Sequence, residues 1–166
     1  MENGSKPISK TDDYSKQFII DCLNGDNTHG FDIDSIYFYD GKWCLFEYLK
    51  CESKNVTPHT SDPKFYAYNW RKFYSLYALA SELNGRLILV NYSTRESDGD
   101  LVKVMEVLSF NYEKAKAYNN EKVYEYMKLK ETRMKRAEFS QWLRKINRNA
   151  EMPTFTAYDL GENDEI

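Results

Sequence analysis

Two segments rich in aromatic and β-branched residues, Phe31 to Tyr39 and Lys42 to Cys51, are separated by Asp40-Gly41 alone. No other feature of the chain restricts its folding so tightly. Gly at the second turn position relieves the positive-φ cost of a type I′ turn, so the pair predicts a two-residue β-hairpin. Counted outward from that turn, Tyr39 pairs with Lys42, Phe38 with Trp43, Tyr37 with Cys44, Ile36 with Leu45, Ser35 with Phe46, and Asp34 with Glu47. Two carboxylates come out opposite each other, where cross-strand Cβ atoms stand roughly 4.5–5.5 Å apart and like charges destabilise. Asp34 shares its face with Ile36 and Phe38, and Glu47 shares its face with Leu45 and Leu49, so the acids end an otherwise apolar face. A positive charge between them, such as a divalent cation, or protonation of one acid would resolve the conflict; otherwise the register slips or both lie on a solvated sheet rim.

The rest of the chain is read around this hairpin. Phe18, Ile19, Cys22 and Leu23, closed by Gly25, predict a short amphipathic helix over about 14–24. Ser61, Asp62 and Pro63 start a second helix, along which Phe65, Tyr66, Trp70, Phe73, Tyr74, Tyr77 and Leu83 recur at helical spacing until Asn84-Gly85 stops it. Arg86 to Tyr92 suits a strand buried on both faces, and Leu101 to Phe110 is another strand. From Tyr112 onward Lys, Glu, Ala and Met predominate, with Phe139, Trp142, Leu143 and Ile146 at i, i+3, i+4, i+7, which predicts a helical C-terminal third. The expectation is an α+β fold: a central mixed sheet with an Asp-Gly hairpin, flanked by helices, plus a basic C-terminal helical segment. With 166 residues, 42% of them hydrophobic, the chain suits one domain over 14–150, preceded by a loose arm (1–13) and followed by an acidic tail (151–166).

Several classes of protein are excluded at this level. The longest apolar runs fall far short of the ~20 residues of a membrane span. The N-terminus lacks the basic-then-apolar order of a signal peptide, so a cytoplasmic protein is expected. Cys22, Cys44 and Cys51 are odd in number and imply no disulfide framework. A zinc site from Cys44, Cys51 and His59 fails because seven residues along one strand place the two thiols on opposite faces. His29 and His59 sit in polar loops and read as solvated, and no glycine-rich phosphate motif occurs.

Charge is unevenly spread. Residues 114–148 hold eleven basic and four acidic side chains, net +7, whereas residues 1–40 and the last sixteen each carry −5. Lys128, Lys130, Arg133, Lys135, Arg136, Arg144 and Lys145, with Arg71 from the second helix, are the candidates for a phosphate-facing surface; a solvated helical face is the other reading. Tyr66, Trp70 and Arg71, near the start of the second helix, are further candidates for substrate contact, the remaining rings there reading as core.

The order helix, Asp-bearing strand, tight turn, Glu-bearing strand with a nearby Lys, helix, buried strand resembles the PD-(D/E)XK, or restriction-endonuclease-like, nuclease superfamily over residues 14–92. The resemblance implies a restriction-endonuclease-like core, Mg²⁺ or Mn²⁺ held by Asp34 and Glu47 with Asp32 as a third ligand, and a Lys that helps activate the attacking water. In that family the Lys follows the second acid by two residues. In Phe46-Glu47-Tyr48-Leu49-Lys50 it follows by three, and a regular strand would point Lys50 to the opposite face from Glu47. A bulge at Tyr48 or Leu49 would return it; otherwise Lys72 first, or Lys64 second, would supply the charge from the next helix. The strand that usually precedes the Asp strand has no counterpart here. The expected function is a metal-dependent nuclease-like domain acting on or binding nucleic acid, with a non-catalytic binding or inhibitor protein on the same scaffold, and hence a protein partner, as the alternative.

Overall fold

The structure, a computed structural model, describes residues 14–26, 30–51, 53–66, 69–117 and 125–153. The N-terminal arm, His29, Glu52, Lys122 and the acidic tail beyond residue 153 lie outside them. The chain divides into two compact units, Met1–Phe31 and Asp32–Ile166. In the first, α1 (Tyr14–Leu23) ends where Asn24 and Gly25 both take positive φ, a conformation that satisfies the last carbonyls of a helix.

The second unit contains β1 (Ser35–Tyr39), β2 (Lys42–Lys50), a 3₁₀ turn (Pro63–Phe65), α2 (Trp70–Glu82), β3 (Arg86–Tyr92), β4 (Leu101–Phe110), α3 (Tyr112–Lys116), β5 (Met127–Lys135) and α4 (Arg136–Arg148). One mixed sheet runs in the order β1-β2-β3-β4-β5. It makes the fold α+β. Between β1 and β2, Asp40 (φ 54°) and Gly41 (φ 68°) are both left-handed, and the antiparallel register runs from Tyr39 opposite Lys42 to Ser35 opposite Phe46. Strands β2 and β3 are parallel, and β4 and β5 follow antiparallel.

Each face of the sheet carries its own apolar layer. Leu45, Leu49, Leu87, Leu89, Met105 and Val107 pack against Phe73, Leu76 and Ala80 of α2. Cys44, Phe46, Ile88, Val90, Val102 and Val104 meet Phe139, Trp142, Leu143 and Ile146 of α4 on the other side. Odd and even residues of the central strands divide between the layers because successive side chains alternate.

Three expectations are corrected. The C-terminal third is not helical throughout: Met127–Lys135 is a strand. Its Lys and Glu favour helix in isolation, but Met127 and Leu129 join the α2-side layer and Met134 the α4-side layer, and pairing along β4 outweighs local preference. The second helix is interrupted. Asp62 Oδ1 accepts the Lys64 N–H at 2.9 Å to cap only the short 3₁₀ turn, Tyr66 reaches back to Ser61 Oγ at 2.9 Å, and α2 begins afresh at Trp70. His59 is not a solvated loop residue either, since its Nε2 lies 3.1 Å from the Val102 carbonyl and 3.3 Å from that of Met134.

Candidate functional site

Glu47 is set by alternation. It lies between Leu45 and Leu49 on the α2 side of β2 and is 6% exposed, a rare environment for a carboxylate. Its Oε1 receives Lys72 Nζ at 2.8 Å. Lys72 occupies the first turn of α2, one position before the fully buried Phe73, so the packing that seats α2 on the sheet also delivers the ammonium to Glu47. The same Nζ reaches Asp32 Oδ1 at 2.8 Å. Glu47 Oε2 is buried and has no hydrogen-bond partner among the described residues.

Asp34 reaches the site differently from the pairing expected. The ladder ends at Ser35 and Phe46, and the Asp34 carboxylate accepts the backbone N–H of Tyr48 through Oδ2 at 2.7 Å. This clamps Asp34 to the residue after Glu47, close enough for its charge to act on that carboxyl. Burial pushes the Glu47 pKa up, the Lys72 hydrogen bond opposes this, and the charges of Asp34 and Asp32 add to the rise. Lys72 moves upward too: burial acts to lower it, and the bonds to Asp32 and Glu47 outweigh that. A simple ion pair would depress the acid as it raises the base. Here burial, with the charges of Asp34 and Asp32 added, outweighs the Lys72 bond, so Glu47 stays undercompensated.

The other candidates separate. The register of β2 on β3 is unbroken through Glu47, Tyr48, Leu49 and Lys50, so no bulge returns Lys50 to the Glu47 side. Lys64 bonds Asp62 and Glu125 instead. Lys128 and Lys130 alternate with Arg133 and Lys135 across the two faces of β5. Lys135 pairs with Asp100, Arg136 donates to the Ser93 carbonyl, and Arg144 to Ser140 Oγ. Helix α4, with Arg144 and Lys145, covers the face opposite Glu47. The basic third therefore does not form one surface beside the acids. Tyr66 packs against the α2-side core, while Arg71 lies over the Trp70 ring.

Some polar residues of this face carry no clear signal in the sequence. Asn91 and Lys103, opposite each other on β3 and β4, are buried on the α2 side; Asn91 Nδ2 donates to the Pro58 and Ser61 carbonyls, and Lys103 Nζ lies 3.4 Å from Glu131. Within Val102-Lys103-Val104 the lysine looks like an outward residue of a half-exposed strand.

No three His, Cys, Asp or Glu side chains gather into a metal-binding group among the described residues. What the site offers a hard cation is the free Oε2 of Glu47 with Asp34 nearby. Carboxylate oxygens are hard donors of the kind that Mg²⁺ and Mn²⁺ take. Cys44 and Cys51 are both buried and free, and burial pushes the Cys44 thiol up. No helix among the described residues is long and apolar enough to cross a membrane. Compared with known proteins, the chain significantly matches no family model, no curated sequence and no solved structure.

Proposed function

We propose that the chain is a metal-dependent nuclease-like domain that acts on or binds the phosphodiesters of nucleic acid. The observation that carries this reading is the Glu47 carboxylate, buried in an apolar layer with Oε2 unpartnered among the described residues and with the charges of Asp34 and Asp32 beside it. A structural ion pair has no use for an orphaned buried oxygen, whose desolvation costs about 1–3 kcal/mol or more. The element order around it, an acid-bearing hairpin followed by a helix and a strand parallel to the Glu strand, supports the resemblance to PD-(D/E)XK enzymes.

In this reading Glu47 Oε2 and Asp34 would hold Mg²⁺ or Mn²⁺, with Asp32 held back by its bond to Lys72. The cation would polarise a phosphoryl oxygen and acidify a bound water. The chain's own part falls to Lys72. Fixed by Asp32 and Glu47, its ammonium orients the attacking water and offsets negative charge developing on the phosphate. Lys72 thus takes the place that Lys50, on the opposite face, cannot fill.

A non-catalytic binding protein on the same scaffold is the second reading. Its support is that Lys72 bridges Asp32 and Glu47 and so engages carboxylate oxygens that a cation would otherwise use. The test is cleavage of supercoiled plasmid, single-stranded DNA and a structured RNA in Mg²⁺ and in Mn²⁺, beside Glu47→Ala and an EDTA control. Metal-dependent cutting that disappears in Glu47→Ala is the expected result. No cutting by folded protein on any substrate overturns the enzymatic reading in favour of the binding one.

A further inference from the structure

Trp70 and Arg71 immediately precede Lys72, and from them a line of rings and cations crosses the surface from α2 to α3. Arg71 Cζ lies 5.5 Å from the centre of the Trp70 ring. Trp70 meets Tyr112 edge-on at 5.9 Å, and Tyr74 meets Tyr112 at 4.9 Å and Phe110 at 5.4 Å. Lys116 Nζ stands 5.9 Å from the Tyr112 ring. Tyr74 and Tyr112 are 36% and 38% exposed, far more than rings whose role is to fill the core. Phe110 and Lys114 continue the line into an open depression of about 510 Å³, which Lys128 also borders.

The charges on this strip are uncommitted. Among the described residues the ion pairs engage Lys64, Lys72, Arg95, Lys103, Arg133 and Lys135, and Arg71, Lys114 and Lys116 take part in none. Arg71 and Lys116 rest on ring faces, a contact worth little at an exposed site. They can swing outward at small cost, which frees the rings and supplies cations beside them. Half-exposed aromatic rings interleaved with unpaired cations are what a flexible strand of bases and phosphates requires, and a paired duplex cannot present its base faces to such a strip.

We infer that the Trp70, Tyr112, Tyr74 strip binds single-stranded nucleic acid, its rings stacking on unpaired bases while Arg71, Lys114 and Lys116 hold the phosphates. The inference rests on the proposed function and deepens it: the strand would pass over the strip next to Lys72, making single-stranded or locally unpaired nucleic acid the substrate class.

The test is fluorescence anisotropy of the full chain with labelled dT12, rU12 and a 12-base-pair duplex, in EDTA and low salt so that no cleavage occurs. At least one single strand should bind more tightly than the duplex, and Tyr112→Ala should weaken that binding by about tenfold. Tyr112→Leu, which keeps most of the side-chain volume should the alanine variant fail to fold, should weaken it similarly. Arg71→Gln with Lys116→Gln should reduce the salt dependence by about two phosphate contacts. Affinity unchanged in folded Tyr112→Leu, or duplex bound as tightly as both single strands, overturns the inference. Wild-type binding of this pattern without cleavage in Mg²⁺ or Mn²⁺ keeps the strip and overturns the enzyme. Cleavage lost in Glu47→Ala but indifferent to Tyr112→Leu in rate and affinity keeps the enzyme and overturns the strip.

Discussion

Lys72 Nζ lies 2.8 Å from Glu47 Oε1, joining the first turn of α2 to the middle of β2 inside an apolar layer. Lys72 also holds Asp32, whereas Glu47 has Lys72 alone as its ion-pair partner among the described residues. Losing the cation should therefore cost more than losing the acid. Lys72→Met is expected to destabilise the protein by about 2–3 kcal/mol, somewhat under the range for a fully buried pair because the lysine is partly exposed. Glu47→Gln should cost less, since Lys72 keeps Asp32. The double variant should fall well short of the sum in urea unfolding; strict additivity would show that the two side chains are not coupled.

The raised pKa of Glu47 has a defined sign. A carboxyl whose folded value lies above its unfolded value contributes stability that is fully present below the unfolded pKa and is lost as pH rises through the folded one. Thermal melts at low salt should show the wild type losing stability relative to Glu47→Gln as pH rises from about 4, where ordinary Glu side chains titrate. A difference that stays flat across pH would contradict the buried, undercompensated carboxylate.

Asp98 behaves in the opposite sense. Hydrogen bonds from Arg95 and Ser93 outweigh burial and hold its pKa below the ordinary value, and Arg95 also donates to the carbonyls of Ser53 and Val56, fastening the loop after β2. Its stabilisation is present above the unfolded carboxylate pKa and is lost as pH falls through the lower folded value. Asp98→Asn should lower the melting temperature near neutrality and flatten the acid side of the stability curve. Equal acid sensitivity in both proteins would count against this role.

Two glycines should respond differently to alanine. A Cβ at Gly85 would meet the Trp43 carbonyl oxygen at 2.5 Å and Trp43 Cβ at 2.9 Å, so the junction of α2 and β3 must shift against β2. At Gly41 there is open space, and only the positive φ of 68° is unfavourable. Denaturant titration should give a loss of about 2–3 kcal/mol for Gly85→Ala and about 1 kcal/mol for Gly41→Ala. The reverse order would mean that turn conformation, not close packing, governs these positions.

Lys103 is buried against Glu131, which is itself one-third exposed at the edge strand. Replacing such a buried charge by an apolar side chain of similar length removes its desolvation cost and leaves Glu131 able to hydrate. Lys103→Met should leave stability unchanged or raise it by about 1 kcal/mol in urea titration. A loss above that amount would show that the Lys103–Glu131 pair is a net stabiliser.

Much of the site lies in the sequence as parity and turn chemistry. Five of the six pairs counted outward from Asp40-Gly41 coincide with the ladder from Tyr39 and Lys42 to Ser35 and Phe46, the sixth, Asp34 with Glu47, falling beyond its end, and Glu47 lies on the face of Leu45 and Leu49 as alternation requires. The stripe Phe139, Trp142, Leu143, Ile146 packs on the sheet as its spacing indicates. Local geometry decides these features: a two-residue turn admits one register, and a strand has two faces.

What the sequence could not decide depends on contacts between distant segments. That Lys72 rather than Lys50 meets Glu47 follows from where α2 settles, and that in turn depends on the close approach of Gly85 to Trp43 and on the burial of Phe73, Leu76 and Ala80. Met127–Lys135 becomes a strand because β4 offers it an unpaired edge, although its own residues favour a helix. The basic side chains of the last third consequently divide between two faces of a sheet, with α4 on the side away from the acids. A residue's neighbours along the chain set the face it occupies within its own element; the partner across the core is set by the burial and hydrogen bonding of elements tens of residues away, which no local pattern records.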